Sequence, residues 1–260
     1  MELKNSTILI TGGTSGMGLE FVKQLTEIGA NVIVTGRKQH ALDETKKQFP
    51  KVHTIKSDVS KPNDIKDLYN AVTKLFPDLN IIINNAGMMR LIDLQDQSLD
   101  LENINQEIAT NLTGTIQLTH QFLPHLLNQK SAGIVNVTSG IAFMSYSPAP
   151  IYSATKAGLR AYTQALRLQL EDTNVKVFEM IPPGVKTNLQ NDWIKQPNSA
   201  MMMSAEKMVK IAIEGILKGK KELKPFPIRI IKLATRLMPN VLLNFGHKEF
   251  KAIKKLQKNK

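Results

Sequence analysis

Apolar residues along the chain fall into short consecutive runs that alternate with longer stretches of helical period. Thr7–Thr11, Asn31–Thr35, Val52–Ser57, Leu79–Asn84, Gly133–Thr138 and Val175–Ile181 read as strands. Runs such as Ile81-Ile82-Ile83 lack polar alternation, which fits strands covered on both faces of a parallel sheet. Helical segments lie near 17–28, 39–48, 62–75, 99–127 and 151–171. A helix near 204–218 and a short strand near 222–226 complete the body. This β-α-β-α order predicts one α/β domain, a doubly wound parallel sheet with helices on both faces and right-handed crossovers. Ligands of such sheets bind at the carboxyl ends of the strands, so candidate chemistry is sought there.

The composition is that of a globular protein: 260 residues, 42% hydrophobic and 22% charged. No cysteine is present, which excludes disulfides and thiolate chemistry and suits a reducing cytoplasm. The run Ile8-Leu9-Ile10 is too short for a signal core, and no apolar stretch is long enough to span a membrane. The five histidines show no metal-like spacing with carboxylates, so no metal site is expected. The net charge of +12 is uneven: residues 218–260 hold 13 basic and 2 acidic residues.

The first strand runs into Thr11-Gly12-Gly13-Thr14-Ser15-Gly16-Met17-Gly18 ahead of a helix. Glycines let the backbone turn tightly and approach a pyrophosphate, and the helix N-terminus offers free amides to it. The second strand ends at Thr35-Gly36-Arg37-Lys38 with no carboxylate for ribose hydroxyls. Arg37 is able to pair with a 2′-phosphate, so NADP is favoured over NAD; an ordinary solvated basic pair is the plain alternative. Asp58-Val59 follows the third strand, where Asp58 either accepts from an adenine amino group or caps the next helix, with Ser60 as a further cap. Asn84-Asn85-Ala86-Gly87 follows the fourth strand; small residues there let a cofactor lie on the backbone, while the Asn side chains tie loops together. Tyr152 and Lys156 stand at i and i+4, on one helix face, and an ammonium near a phenol lowers its pKa. Ser139, after the fifth strand, and Asn111, within the long helix, supply a hydroxyl and an amide.

These elements together resemble the short-chain dehydrogenase/reductase family over residues 5–226: Thr-Gly-x3-Gly-x-Gly at 11–18, Asn-Asn-Ala-Gly at 84–87, Asn111, Ser139, Tyr152-x3-Lys156, and Pro183-Gly184 followed by Thr187. Within it the chain is most similar to reductases encoded with bacterial teichoic-acid D-alanylation genes. The resemblance implies a seven-stranded Rossmann sheet, a nicotinamide cofactor and catalytic roles for Asn111, Ser139, Tyr152 and Lys156. It adds the loop Pro183–Thr187 as the holder of the nicotinamide carboxamide, with Pro182, Gly184, Val185 and Thr187 as cofactor contacts, and Asn111 as anchor of a proton-relaying water. A small carbonyl or secondary alcohol is the implied substrate, and a homodimer or homotetramer is expected. Met88-Met89, Met201-Met202-Met203 and Trp193, in a segment 188–206 over the substrate, either line the cleft or pack.

Beyond the domain 1–226, residues 227–260 form a basic, partly amphipathic extension. An interfacial helix on an anionic membrane and a helix packed on the body or a sister subunit are both open readings. Pro239 and Gly246 are expected to break or kink a helix there, so any membrane-facing helix should be short. No aromatic interleaving supports nucleic-acid binding. A catalytically silent cofactor-binding scaffold is the alternative to an enzyme.

Overall fold

A computed structural model describes residues 1–191, 193 and 202–258. In chain order the elements are β1 (Thr7–Thr11), α1 (Gly16–Ile28), β2 (Asn31–Gly36), α2 (Gln39–Gln48), β3 (His53–Lys56), α3 (Pro62–Leu75) and β4 (Leu79–Asn84). Then come α4 (Leu101–Ile108), α5 (Gly114–Leu127), β5 (Ala132–Val137), α6 (Pro150–Gln169), β6 (Val175–Met180) and β7 (Val185–Lys186). The chain closes with β8 (Met203–Ser204), α7 (Ala205–Leu217), β9 (Glu222–Leu223), α8 (Phe226–Leu237) and α9 (Pro239–Lys258).

Seven strands form a parallel sheet in the order β3-β2-β1-β4-β5-β6-β9. The order reverses between β1 and β4, which opens a crevice at their carboxyl ends. The unbroken apolar runs have the cause read from the sequence. Ile81 and Ile83 enter a core layer with Phe21 and Val22 of α1 and Met208 and Ile213 of α7. Ile82, between them, enters the opposite layer with Leu68 of α3, Phe122 of α5 and Leu166 of α6. Both faces are therefore sealed by helices, and polar side chains appear mainly where the strands end.

The segment expected as one long helix is divided. α4 starts at Leu101, capped by Asp100, whose carboxylate accepts from the Asn103 N–H at 2.6 Å. A π-helical turn over Ala109–Thr113 then carries Asn111 before α5 begins. Such turns insert one residue into the helical ladder and occur often at functional sites. The expected cap at Ser60 is also corrected. Ser60 instead donates to Asp58 Oδ1 at 2.8 Å, and Lys61 stands at the N-cap of α3.

The extension departs from its expected short helices. Pro239 opens a 20-residue helix, a position where a missing N–H costs nothing, and Gly246 lies inside it. Gly246 is buried against the backbone of Ser145 and Ser147, which offsets its poor helix propensity. Ile228 of α8 and Ile253 of α9 are buried in the body. Tyr146 donates to Glu249 at 2.5 Å, and Lys254 binds Asp93 at 2.9 Å and Gln95 at 2.6 Å. One face of the extension is thus packed on the body.

Where α8 meets the sheet edge, Glu222 gathers Lys224, Lys232 at 2.8 Å and Arg160 at 3.8 Å. Burial raises the Glu222 pKa, but hydrogen bonds from Lys224 and Lys232 outweigh it and hold the group near 2 against an ordinary 4.5. A depressed carboxyl contributes stability above its unfolded pKa and loses it as pH falls toward the folded value. With a discount for its partial exposure, the loss expected between about pH 5 and pH 2 is roughly 1–2 kcal/mol. Urea unfolding across that range should show a smaller acid-induced drop for Glu222→Gln than for the unmodified chain; parallel curves would remove this cluster from the acid response.

Candidate active site

The crevice between β1 and β4 is a cleft of about 590 Å³. Its floor begins at the glycine loop. Gly12 has φ +64°, a left-handed conformation, and a Cβ there would meet the Ala86 Cα at 2.9 Å. A Cβ on Gly18 would lie 2.2 Å from the Gly12 carbonyl oxygen, so Gly18 sets how closely α1 approaches the loop. Asn85 fixes the loop from the other side: its Nδ2 donates to the carbonyls of Thr11 and Gly12, each at 3.0 Å. Thr11 Oγ1 accepts from the backbone N–H groups of Asn85 and Ala86, each at 3.0 Å. α1 starts without a side-chain cap and without an acidic residue in its first turn. Its free amides and positive dipole end therefore face the cleft beside Thr14, Ser15, Gly16 and Met17. This backbone cradle, which side chains would fill, fits the pyrophosphate of a dinucleotide.

At one end of the cleft stand Thr35 and Arg37 with Asp58 and Val59. Asp58 Oδ1 accepts from the Ser60 N–H and hydroxyl, which leaves its other oxygen to the cleft. Ala86 and Gly87 supply the bare backbone along the middle. Pro182 and Thr187 close the far side; Thr187 caps a short 3-10 turn, accepting from the Leu189 N–H at 3.3 Å. Gly184 and Val185 do not line the cleft. Gly184 neighbours Met202, and Val185 is buried in the core layer of α1 and α7. Asn84 also points elsewhere, donating to Thr119 at 3.1 Å and Asn136 at 2.8 Å in a buried chain that joins β4, β5 and α5.

The other end brings Ser139, Tyr152 and Lys156 together, each less than a tenth exposed. Lys156 Nζ lies 5.6 Å from the Tyr152 ring centre and donates to the Val137 carbonyl at 2.8 Å. The expectation of a lowered Tyr152 pKa is overturned. Burial pushes the phenol up to about 12, a Ser139 hydroxyl hydrogen bond pulls partly the other way, and the Glu107 charge pushes it up further. Burial likewise draws Lys156 down to about 8. The sequence reveals the neighbouring ammonium but not the depth at which both groups sit, and desolvation disfavours charge on each. At neutral pH the phenol is a held proton rather than a phenolate. Asn111 is fully buried: Oδ1 accepts from the Met88 N–H at 2.9 Å, and Nδ2 donates to the Met88 carbonyl at 2.8 Å. It thereby pins the chain after Asn-Asn-Ala-Gly, and its Oδ1 and Lys156 Nζ both lie beside the open Cα of Gly87.

Beside Tyr152 the wall is apolar. Met89 and Ala149 are buried against it, with Leu91, Ile141, Tyr146, Leu189 and Trp193 around them. Met203 packs at the edge of the core, whereas Met201 and residues 192 and 194–200 of the covering segment lie outside the described residues. Two groups near the site carry no motif. Glu107, fully buried one turn before Asn111, accepts from the Arg90 N–H at 2.9 Å, and Arg90 in turn donates to Asn103 Oδ1 at 2.6 Å. The only sequence signal is an acidic residue on the apolar face of α4. Thr110 and Val137 also line the cleft, the latter because it ends β5.

The short chain dehydrogenase family model matches residues 6–198. Over 237 residues the chain is 40% identical to the uncharacterized oxidoreductase DltE of Bacillus subtilis, covering 91% of this chain and 94% of that one. That agrees with the narrower resemblance read from the sequence. An uncharacterized oxidoreductase of Staphylococcus epidermidis is 32% identical over 187 residues, with 72% and 80% covered. The fold matches a short chain dehydrogenase/reductase from Burkholderia phymatum in complex with NAD, with TM-score 0.81, 20% identity and 91% and 95% coverage. It also matches a short chain dehydrogenase from Burkholderia cenocepacia in complex with NADP, with TM-score 0.80, 22% identity and 93% and 97% coverage. By its sequence relatives, its parallel sheet and its glycine-lined crevice, the chain belongs to the short-chain dehydrogenase/reductase family of oxidoreductases.

Proposed function

We propose that this enzyme moves a hydride between NADP and a carbonyl or secondary alcohol, with Tyr152 as its general acid and base. One observation carries the reading: a buried, neutral phenol beside a serine hydroxyl and a lysine ammonium, at the end of a cleft whose opposite end holds Arg37. Residues 1–226 act as the catalytic domain and 227–260 as an extension. The cleft suits either nicotinamide dinucleotide along its middle, and relatives in the fold are described with NAD and with NADP. A bound nicotinamide supplies or accepts the hydride. The glycine loop binds the diphosphate through backbone amides, and Asp58 accepts from the adenine amino group. Ser139 and Tyr152 hold the substrate oxygen, and Tyr152 delivers its proton as charge develops there. Lys156 favours ionisation of the phenol when the proton leaves and binds the ribose. Asn111, held on Met88, positions the group that returns a proton to Lys156. The complete set argues against a silent scaffold. The reading includes a homodimer or homotetramer and a cytoplasmic setting, which suits a cysteine-free chain.

Cofactor choice rests on Arg37, whose planar fork pairs with a 2′-phosphate while no carboxylate stands at the end of β2 to bind ribose hydroxyls. NADPH should bind about tenfold more tightly than NADH, roughly 1.4 kcal/mol. Titration by cofactor fluorescence should show Arg37→Ala losing most of that preference. Equal affinities in the unmodified protein would contradict the assignment.

A further inference from the structure

We propose that the outer face of α8, continued by the start of α9, docks this enzyme on an anionic lipid surface. α8 is apolar on two sides. Ile228 is completely buried, close enough to Gly140 that a Cβ there would meet its Cδ1 at 2.9 Å. Away from that contact, Phe226, Ile230, Leu233 and Leu237 recur at i, i+4, i+7 and i+11, which makes one continuous stripe. They are 68%, 55%, 59% and 70% exposed, and Met238, Val241 and Phe245 extend the patch into α9 with similar exposure. Scattered surface leucines need no explanation, but a contiguous apolar face of this extent does.

Charge selects the occupant. Arg229 and Arg236 flank the stripe, each immediately before one of its residues. On α9, Lys248, Lys251 and Lys255 are exposed, whereas the buried contacts of that helix run through Gly246 and Ile253. Among the described residues these five cations form no ion pair, unlike Lys224, Lys232 and Lys254, which are spent on the body. A second copy brought face to face would set two strongly basic surfaces against each other. A nucleic acid offers the charge but no apolar layer. Anionic lipid offers both: headgroups for the arginines and lysines, and an acyl boundary for the stripe. Among the described residues no helix is long and apolar enough to cross a membrane, so the contact is peripheral. The same extension reaches the site, since α9 holds the two loops beside the cleft through Tyr146–Glu249 and Asp93–Lys254.

The test is co-sedimentation of the full chain with vesicles of phosphatidylglycerol and phosphatidylcholine, or of phosphatidylcholine alone. About tenfold more protein should pellet with the anionic vesicles, and about 0.5 M salt should weaken this. The double variant Leu233→Ser, Leu237→Ser removes apolar surface that is mostly exposed and lies away from the cleft, so NADPH binding and helical content should be unchanged while vesicle binding falls about tenfold. NADPH binding in the same samples separates this result from any failure of the cofactor site. Equal partition onto both vesicles overturns the proposal, as does undiminished binding of the double variant. A variant that instead lowers the mass in solution, from a protein that ignores vesicles, also overturns it and marks the face as a contact between copies.

Discussion

Tyr152→Phe should lower NADPH-dependent carbonyl reduction by about 10²–10⁴-fold, the usual worth of a positioned general acid. In barrier height that is roughly 3–5 kcal/mol. The substitution removes one oxygen from a side chain only 7% exposed and leaves its ring packed on Met89 and Ala149. Folding and NADPH affinity should therefore change little, and the loss should appear in kcat. The phenol is suited to this role because burial and the Glu107 charge keep its proton in place, with the Ser139 hydroxyl as the opposing influence. A Phe variant that keeps more than about a tenth of the activity would move the proton donor elsewhere.

Lys156→Ala should produce the second large effect, and pH gives it a signature. Lys156 is drawn by burial from 10.5 to about 8, so it carries its proton below that value and loses it above. Reduction depends on that positive charge to ease ionisation of Tyr152 in the transition state. The rate should thus be level on the acid side and fall as pH rises through about 8. In the alanine variant the fall disappears, the rate drops by about 10²-fold or more, and NADPH binds more weakly because the ribose loses its donor. Profiles of kcat against pH for both proteins check this. An alanine variant with the same inflection and the same NADPH affinity would take Lys156 out of the mechanism.

The sheet was readable from the sequence because its central strands are buried on both faces, so that Ile81, Ile82 and Ile83 are all apolar. Much of the candidate site was legible because the glycine loop, Arg37, Asp58, Asn85 and Ser139 follow strand ends, while Tyr152 and Lys156 share a face of α6 at i and i+4. What escaped has physical reasons. β7 and β8 span two residues each, too short for any periodicity. The π turn at Ala109–Thr113 shifts hydrogen bonds without changing the residue types around Asn111. α9 runs through Gly246 because tertiary contact with Ser145 and Ser147 overrides local propensity. Glu107 belongs to no spacing rule, and only its depth in the fold, with its charge acting on the phenol, marks it as part of the surroundings of Tyr152. The protonation of Tyr152 fails for a related reason. Spacing on α6 puts Lys156 nearby, yet the dominant influence is depth, which a sequence does not state.

The most direct test of the central claim is isotopic. Purified protein is incubated with NADPH carrying deuterium at both C4 positions of the nicotinamide and a panel of ketones and aldehydes, and the products are read by mass spectrometry. The account predicts an alcohol carrying deuterium on its former carbonyl carbon, formed by the unmodified protein and not by Tyr152→Phe. Tight NADPH binding with no deuterium transferred to any member of the panel would contradict it and favour a scaffold that binds the cofactor without turnover.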